Sequence, residues 1–304
     1  MILVNIEKRL KTLLGDANVE VNKPLKNHTY TRLGGNADYF VTPKTAEQVQ
    51  EVVRLANECD IPFMLLGNGS NLIIKDGGIR GIVMYLGEFN EIEVVDTTVR
   101  AQSGALIADV SKEALHYHLT GLEFACGIPG SVGGALFMNA GAYGGEIKDV
   151  LKEAIVITPD GELLTIQAED LHLSYRTSSI QTNGYIVLEA LFELEVGKYG
   201  EIKSMMDVLT YKRESKQPLE YPTCGSVFKR PPGNFAGKLI QDSGLQGVQI
   251  GGAEVSKKHA GFIINKDEAT ASEYIALIKH VQKVVKENFD VELEREVRII
   301  GEDK

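Results

Sequence analysis

The sequence has little that points to a membrane, a metal or a secreted framework. Its apolar runs are far shorter than the ~20 residues a bilayer-crossing helix needs. The opening Met1-Ile2-Leu3-Val4-Asn5-Ile6-Glu7-Lys8 carries charge where a signal peptide needs its apolar segment, so a cytoplasmic location is expected. The three cysteines, Cys59, Cys126 and Cys224, are odd in number and widely spaced, which argues against a disulfide framework or a zinc knuckle and reads as reduced core or loop thiols. Histidines are scattered, and His116 and His118 lie two apart on an expected helix, where they share no face, so no metal site is expected. A basic excess is missing too: 32 Lys and Arg stand against 42 Asp and Glu, a net charge of −10 that disfavours nucleic acid as a partner. The common phosphate fingerprints are also absent. Gly67-Asn68-Gly69-Ser70-Asn71-Leu72 ends in leucine where the dinucleotide motif wants glycine or alanine, and no helical pattern follows directly. Gly233-Asn234-Phe235-Ala236-Gly237-Lys238-Leu239 is one residue too short for a P-loop and lacks its Ser or Thr, so a standard Rossmann or P-loop domain is not expected.

What the chain does have is glycine in two places. Residues 127–145 hold seven glycines in nineteen positions, running Gly127-Ile128-Pro129-Gly130-Ser131-Val132-Gly133-Gly134 and then Asn139-Ala140-Gly141-Ala142-Tyr143-Gly144-Gly145. Such density costs conformational entropy and calls for close backbone approach to something. The second place is Gly67–Asn71, reached from the buried-strand pattern Pro62 to Leu66, where successive backbone N–H groups can converge on a phosphate. Each loop alone reads equally as a tight turn or as a ligand cradle; two together suggest one extended, phosphate-bearing cofactor. Between Lys203 and Lys258, nine Lys and Arg face five Asp and Glu, a local excess suited either to a solvated helix face or to steering a small polyanion into a cleft.

At 304 residues, two or three domains are expected. Ile6, Leu10, Leu13 and Leu14 mark an opening helix stopped by Gly15, and Thr45 with Gln48 opens a second whose stripe is Val49, Val52, Val53 and Ala56. Ile107 to His118 reads as helix, and Pro159-Asp160-Gly161 turns a hairpin within a strand-rich stretch from Ala154 to Glu195. A boundary is expected near Val196-Gly197-Lys198-Tyr199-Gly200, followed by a charged helical segment and a smaller domain. That domain holds short strands at Val248 to Ile250 and Phe262 to Ile264 and a long helix capped by Thr270 and Glu273, with stripe Ile275, Ile278, Val281, Val285 and Phe289. Val291 to Ile300 alternates, placing Glu292, Glu294, Glu296 and Arg298 on one face; a Glu296–Arg298 neighbourhood is usually a surface pair. The result is mixed α and β without regular βαβ alternation.

With these motifs assembled, the chain resembles the UDP-N-acetylenolpyruvoylglucosamine reductases over nearly its whole length. The resemblance rests on Leu66 to Leu72, Gly127 to Gly134, Asn139 to Gly144, Ser174-Tyr175-Arg176-Thr177-Ser178, Cys224-Gly225-Ser226-Val227-Phe228-Lys229, Ala236-Gly237-Lys238-Leu239-Ile240 and Leu293-Glu294-Arg295-Glu296-Val297. It looks like the shorter form of the family, without the inserted gating loop. The resemblance implies an α+β chain: a vanillyl-alcohol-oxidase-type FAD-binding region of two α+β subdomains over 1–200 (roughly 1–80 and 81–200), a smaller α+β substrate domain over 201–292, and a C-terminal strand over 293–304 that contributes to the active site. It also implies non-covalent FAD, NADPH as hydride donor, and a sugar-nucleotide substrate in peptidoglycan precursor synthesis, with neither nucleic acid nor membrane as partner.

Site roles carried over by the resemblance are as follows. Arg176 polarises the substrate carboxylate, Ser226 protonates the second carbon and Glu296 assists as an acid. FAD lies on Gly67, Asn68, Gly69, Ser70, Asn71, Gly127, Ile128, Gly130, Ser131, Gly134, Asn139 and Gly141, with Arg213 near the flavin or the diphosphate. Tyr175, Lys216, Arg230 and Arg298 meet the substrate, Arg230 standing where some members have a neutral amide. Read without the resemblance, Ser226 is a turn residue after Gly225, Arg176 a surface cation and Tyr175 a core phenol. Two rivals remain: another oxidoreductase of the same flavin fold, or a non-catalytic sugar-nucleotide binder.

Overall fold

The structure, a computed structural model, describes residues 6–304; the first five residues of the opening segment discussed above lie outside them. The chain divides into two compact units, and both are discontinuous. One comprises Met1–Val21, Tyr39–Asn68 and Gly81–Lys212; the other comprises Asn22–Asp38, Gly69–Arg80 and Arg213–Lys304. This path differs from the linear segments 1–200, 201–292 and 293–304, because two stretches from the N-terminal quarter pack with the C-terminal residues.

In the first unit, Ile6–Leu14 forms a helix that buries Leu10 and Leu14 and ends where Gly15 takes φ +84. Helix Ala46–Glu58 starts at Thr45, whose hydroxyl accepts from the Gln48 amide, and buries Val49, Val52, Val53 and Ala56 as its periodicity requires. Strand Phe63–Leu66 runs parallel to Ile79–Tyr85 within a four-stranded sheet ordered Val19–Pro24, Asn36–Val41, Ile79–Tyr85, Phe63–Leu66. A second sheet of five antiparallel strands runs Leu163–Gln167, Leu151–Ile157, Ile186–Glu193, Thr98–Gln102, Ile92–Val95. The expected turn at Pro159-Asp160-Gly161 joins its first two strands, with Gly161 N donating to Thr158 O at 2.9 Å. Helix Ile107–His116 and the short helix Val132–Phe137 bury Val110, Ala114, Val132 and Leu136 in the core that this sheet supplies.

The other unit centres on four antiparallel strands ordered Thr223–Ser226, Phe262–Asn265, Ala253–Val255, Gln249–Ile250. Helix Ala271–Phe289 covers it, burying Tyr274, Leu277, Ile278, Val281 and Val285; Phe289, expected on the buried stripe, is the last residue of the helix and is 40% exposed. Its capping box of Thr270 and Glu273 is complete on both sides. The alternating C-terminal segment is not one strand. Only Arg298–Ile300 is laddered, parallel to Leu72–Ile74. Leu293 and Val297 nonetheless bury as the alternation demands.

Candidate active site

In the first unit the two glycine loops meet. Asn68 Nδ2 donates to Pro129 O at 2.6 Å, and a Cβ on Gly67 would stand 2.8 Å from Ser131 Oγ, so a side chain there pushes the loops apart. Residues 130–133 lie against 103–107: Ile107 N donates to Gly130 O, Val132 N to Ala105 O and Gly133 N to Ser103 O. Ser131 Oγ accepts from Gly134 N at 3.3 Å and caps the short helix. Much of the glycine requirement is therefore internal packing, as at Gly133, where a Cβ would lie 2.2 Å from Ser103 Oγ.

Glycine-rich backbone of this kind is what a pyrophosphate cradle is built from; Gly130 and Ser131 are buried here, and Gly69 is buried in the other unit. Gly69 holds its amide in place through φ +64 and a packing so tight that a Cβ would sit 2.1 Å from His28 O.

Arg176 is held from several sides. It takes φ +58 inside a four-residue turn closed by Ser174 N to Thr177 O and Thr177 N to Ser174 O. That backbone region costs a non-glycine residue roughly 1–2 kcal/mol, so the surroundings must enforce it. They do: Arg176 Nη2 donates to Gly141 O at 3.3 Å, its guanidinium lies 5.2 Å from the Tyr175 ring centroid, and Asn139 Nδ2 donates to Ser174 O at 3.1 Å. Asn139 was expected against the flavin. Its side chain is instead fully buried, bonded to Glu146 and Ser174 through Nδ2 and to the Lys148 amide through Oδ1, so it is a latch that holds the Arg176 turn. Gly141 belongs to the same brace through its carbonyl. Tyr175 is 51% exposed, which removes the reading as a core phenol.

The second unit assembles Ser226 and Glu296 by backbone pairing. Gly225, at φ +79 with open space where a Cβ would be, sits in the irregular step between the Thr223 and Ser226 pairings and turns the chain so that Ser226 pairs with Phe262. The next residue, Val227, accepts from Glu296 N at 2.8 Å, and Lys229 N donates to Glu294 O, so the 294–297 segment lies along 227–229. Asn71 pins the far side: its Nδ2 donates to Glu296 O at 3.2 Å while its own carbonyl accepts from Arg298 N at 3.1 Å. Asn71, expected as a flavin contact, is thus also a clip on Glu296, a role that motif reading alone does not reveal. Arg298 is exposed, yet partial desolvation lowers its guanidinium from its ordinary value.

At the end of helix Tyr199–Lys216, Arg213 and Lys216 lie one turn apart, and Lys258 Nζ donates to Glu214 O in the last turn. His259, missed in the sequence, faces this end. Burial and the nearby Lys216 charge push its imidazole below its ordinary value, and Nδ1 accepts from Gly261 N at 3.1 Å, which leaves Nε2 as the protonated nitrogen of the neutral ring. Arg230 stacks on Phe235, 4.0 Å from the ring centroid.

Two family models match the chain. Residues 37–167 match an FAD binding domain, and residues 217–300 match the UDP-N-acetylenolpyruvoylglucosamine reductase C-terminal domain. The UDP-N-acetylenolpyruvoylglucosamine reductase of Oceanobacillus iheyensis is 64% identical over 295 residues, covering 97% of this chain and 96% of that protein. The chain belongs to the UDP-N-acetylenolpyruvoylglucosamine reductase family. The enzyme of Bacillus cereus designated UDP-N-acetylenolpyruvoylglucosamine reductase 2 is 62% identical over all of both chains. Among solved structures, UDP-N-acetylenolpyruvylglucosamine reductase from Thermus caldophilus is similar with a TM-score of 0.79 and 33% identity, over 92% of this chain and 97% of that one. The protein is accordingly an FAD-dependent oxidoreductase of the reductase family, with the expected FAD-binding region and α+β C-terminal domain. No helix among the described residues is long and apolar enough to cross a membrane.

Proposed function

We propose that this protein reduces UDP-N-acetylglucosamine enolpyruvate to UDP-N-acetylmuramate at the expense of NADPH, in the cytoplasm, with Arg176, Ser226 and Glu296 as its catalytic residues. The observation that carries the residue assignment is the paired backbone that fixes Ser226 beside the 294–297 segment, together with a strained, multiply braced Arg176. FAD, when bound, supplies hydride transfer between nicotinamide and the enolpyruvyl double bond. The residues then deal with charge and protons. Hydride addition at the terminal carbon leaves negative charge on the second carbon, delocalised into the adjacent carboxylate. Arg176 meets that carboxylate with a planar, permanently charged guanidinium whose orientation is fixed before substrate arrives. Ser226 delivers the proton to the second carbon; a hydroxyl is a weak acid, but a carbanion-like centre is a strong base, so position suffices. Glu296, clipped by Asn71, assists as a hydrogen-bond donor in its protonated form. Lys216, Arg230 and Arg298 supply positive charge for the diphosphate and carboxylate, Arg213 lies towards flavin or diphosphate, and Tyr175 lines the substrate. The Gly67–Asn71 and Gly127–Gly134 loops hold the pyrophosphate of FAD on their glycine-rich backbone. The unit that contains Arg213–Lys304 acts as the substrate domain, and its C-terminal segment carries Glu296.

The test is anaerobic mixing of NADPH-treated protein with the enolpyruvyl substrate while the flavin absorbance is followed. Wild type is expected to recover the oxidised spectrum on mixing. Ser226→Ala is expected to lose flavin colour with NADPH at near wild-type rate and to recover it at least ~100-fold more slowly, the scale of a general-acid contribution. Equal loss in both half-reactions rejects the proton-donor role.

A further inference from the structure

Beyond Ser226 the chain dips into the core at Val227 and Phe228, then runs on as Lys229-Arg230-Pro231-Pro232-Gly233-Asn234-Phe235, a loop exposed at Arg230, Pro232, Gly233 and Phe235 and buried at Pro231. This loop is stiff. Two consecutive prolines fix their φ angles, Asn234 N closes a turn on Pro231 O at 3.1 Å, and Gly233 supplies φ +71 with open space beside it. The turn folds Arg230 back over Phe235, with the guanidinium carbon 4.0 Å from the ring centroid. Phe235 is itself anchored, because its carbonyl accepts from Lys238 N and Leu239 N in the first turn of helix Ala236–Asp242. Yet the ring is 60% exposed, while the residue after it, Ala236, is buried. The outcome is a pre-ordered aromatic plate on a proline-stiffened loop, one face taken by a cation and most of the remaining surface open to solvent.

A single exposed Phe needs no explanation. A Phe whose orientation is fixed by a stacked guanidinium, a diproline turn and a helix start has already lost the entropy that a flat ligand would otherwise have to remove. Such plates stack planar heteroaromatic rings. The plate is also near the chemistry: Arg230 is four residues from Ser226, a separation of at most about 14 Å even for fully extended chain. A UDP-linked sugar with its reacting group at Ser226 can reach back over such a distance, its diphosphate passing the cationic stretch of Lys229 and Arg230.

We propose that Phe235, with Arg230 stacked against it, is the platform for the uracil ring of the UDP-linked substrate. The assignment rests on the reductase reading above and adds the residue that selects the nucleoside end. It predicts that Phe235 acts on binding and leaves the chemical step alone.

Phe235→Leu keeps an apolar side chain and removes the π face, while Phe235→Tyr keeps the π face. In the FAD-loaded protein, Phe235→Leu is expected to raise KM for the enolpyruvyl substrate ~5- to 100-fold, the range of one base–aromatic stack, with kcat within twofold of wild type and KM for NADPH unchanged. UDP alone, titrated against the flavin absorbance, should bind Phe235→Leu more weakly by a similar factor. Phe235→Tyr should restore both values. Unchanged UDP binding in Phe235→Leu overturns the proposal, as does a rise in KM for NADPH alone, which gives the plate to adenine. Equal losses in the Leu and Tyr variants also overturn it, since they indicate loop packing. If wild type itself fails to turn over the enolpyruvyl substrate, the reductase reading fails, and the UDP titration still decides the platform.

Discussion

At the scale of single residues, burial and local bonding separate groups that look alike in the sequence. The three cysteines are one case. Cys59 and Cys126 are half-buried, whereas Cys224 is buried, and burial pushes its thiol up to about 11 even though Tyr274 sits 3.4 Å from the sulfur. Thiolate is the nucleophile, so at pH 8 iodoacetamide is expected to label Cys59 and Cys126 in the folded protein and to reach Cys224 only after guanidinium unfolding, as read by peptide mass spectrometry. Early labelling of Cys224 contradicts this placement. Asn139 and Asn71 make the same point for amides. Both belong to glycine-rich motifs that suggest ligand contact, and both turn out to brace the backbone that carries Arg176 or Glu296. The motif spelling shows that an amide is needed; the partner that needs it lies 35 residues away in one case and 225 in the other.

At the scale of elements, helix Ala271–Phe289 shows what capping contributes. Beyond its Thr270–Glu273 box, its first turn is bound by Asp76, whose carboxylate accepts from the Ala271 amide at 2.8 Å and from the Ser272 amide and hydroxyl at 2.9 and 2.6 Å. Burial pushes the Asp76 carboxyl up, but these hydrogen bonds outweigh it and hold the group below its ordinary 3.8. A carboxyl lowered on folding stabilises the native state fully above its unfolded value and loses that contribution as pH falls through the folded value. Asp76→Ala is therefore expected to cost about 1 kcal/mol at pH 7, the usual loss for a capping side chain. The gap from wild type should narrow below pH 3.8. Urea denaturation at a series of pH values checks both. A gap that widens on acidification contradicts the sign. Most elements were legible: the capped helices, the Pro159–Gly161 hairpin and the strand into Gly67 follow from local pattern, though only Leu66 of that strand is fully buried. The Val291–Ile300 strand was overread. Alternation correctly marks Leu293 and Val297 as buried, but burial alternates in any extended chain; Arg295 pairs with Phe228 only in an isolated antiparallel bridge, and a continuous ladder forms only at Arg298–Ile300, against a different strand.

For the whole molecule, the acidic balance and the cationic stretch from Lys203 to Lys258 suit a small anionic substrate drawn towards one region of the chain. The cofactor should also be visible in stability. Purified protein is expected to be yellow, and flavin-free protein with FAD at ~100 times its dissociation constant should gain about 2.7 kcal/mol, seen as a rise in Tm by calorimetry. Colourless protein whose Tm ignores added FAD contradicts the placement of the cofactor. The stretches 22–38 and 69–80 leave their sequence neighbours to pack with residues 213–304. Leu33 and Ile73 accordingly sit in the same core as Val281 and Leu293.

The sequence by itself determined the family, the flavin chemistry, and most helices and turns, because these depend on residue type, short spacing and local capping. Only the tertiary structure decided which N-terminal stretches pack with the C-terminal core, which asparagines are latches, and that Phe235 stands exposed under a stacked guanidinium. Those outcomes depend on contacts between residues far apart along the chain, where packing and backbone pairing, and no local propensity, select the partner.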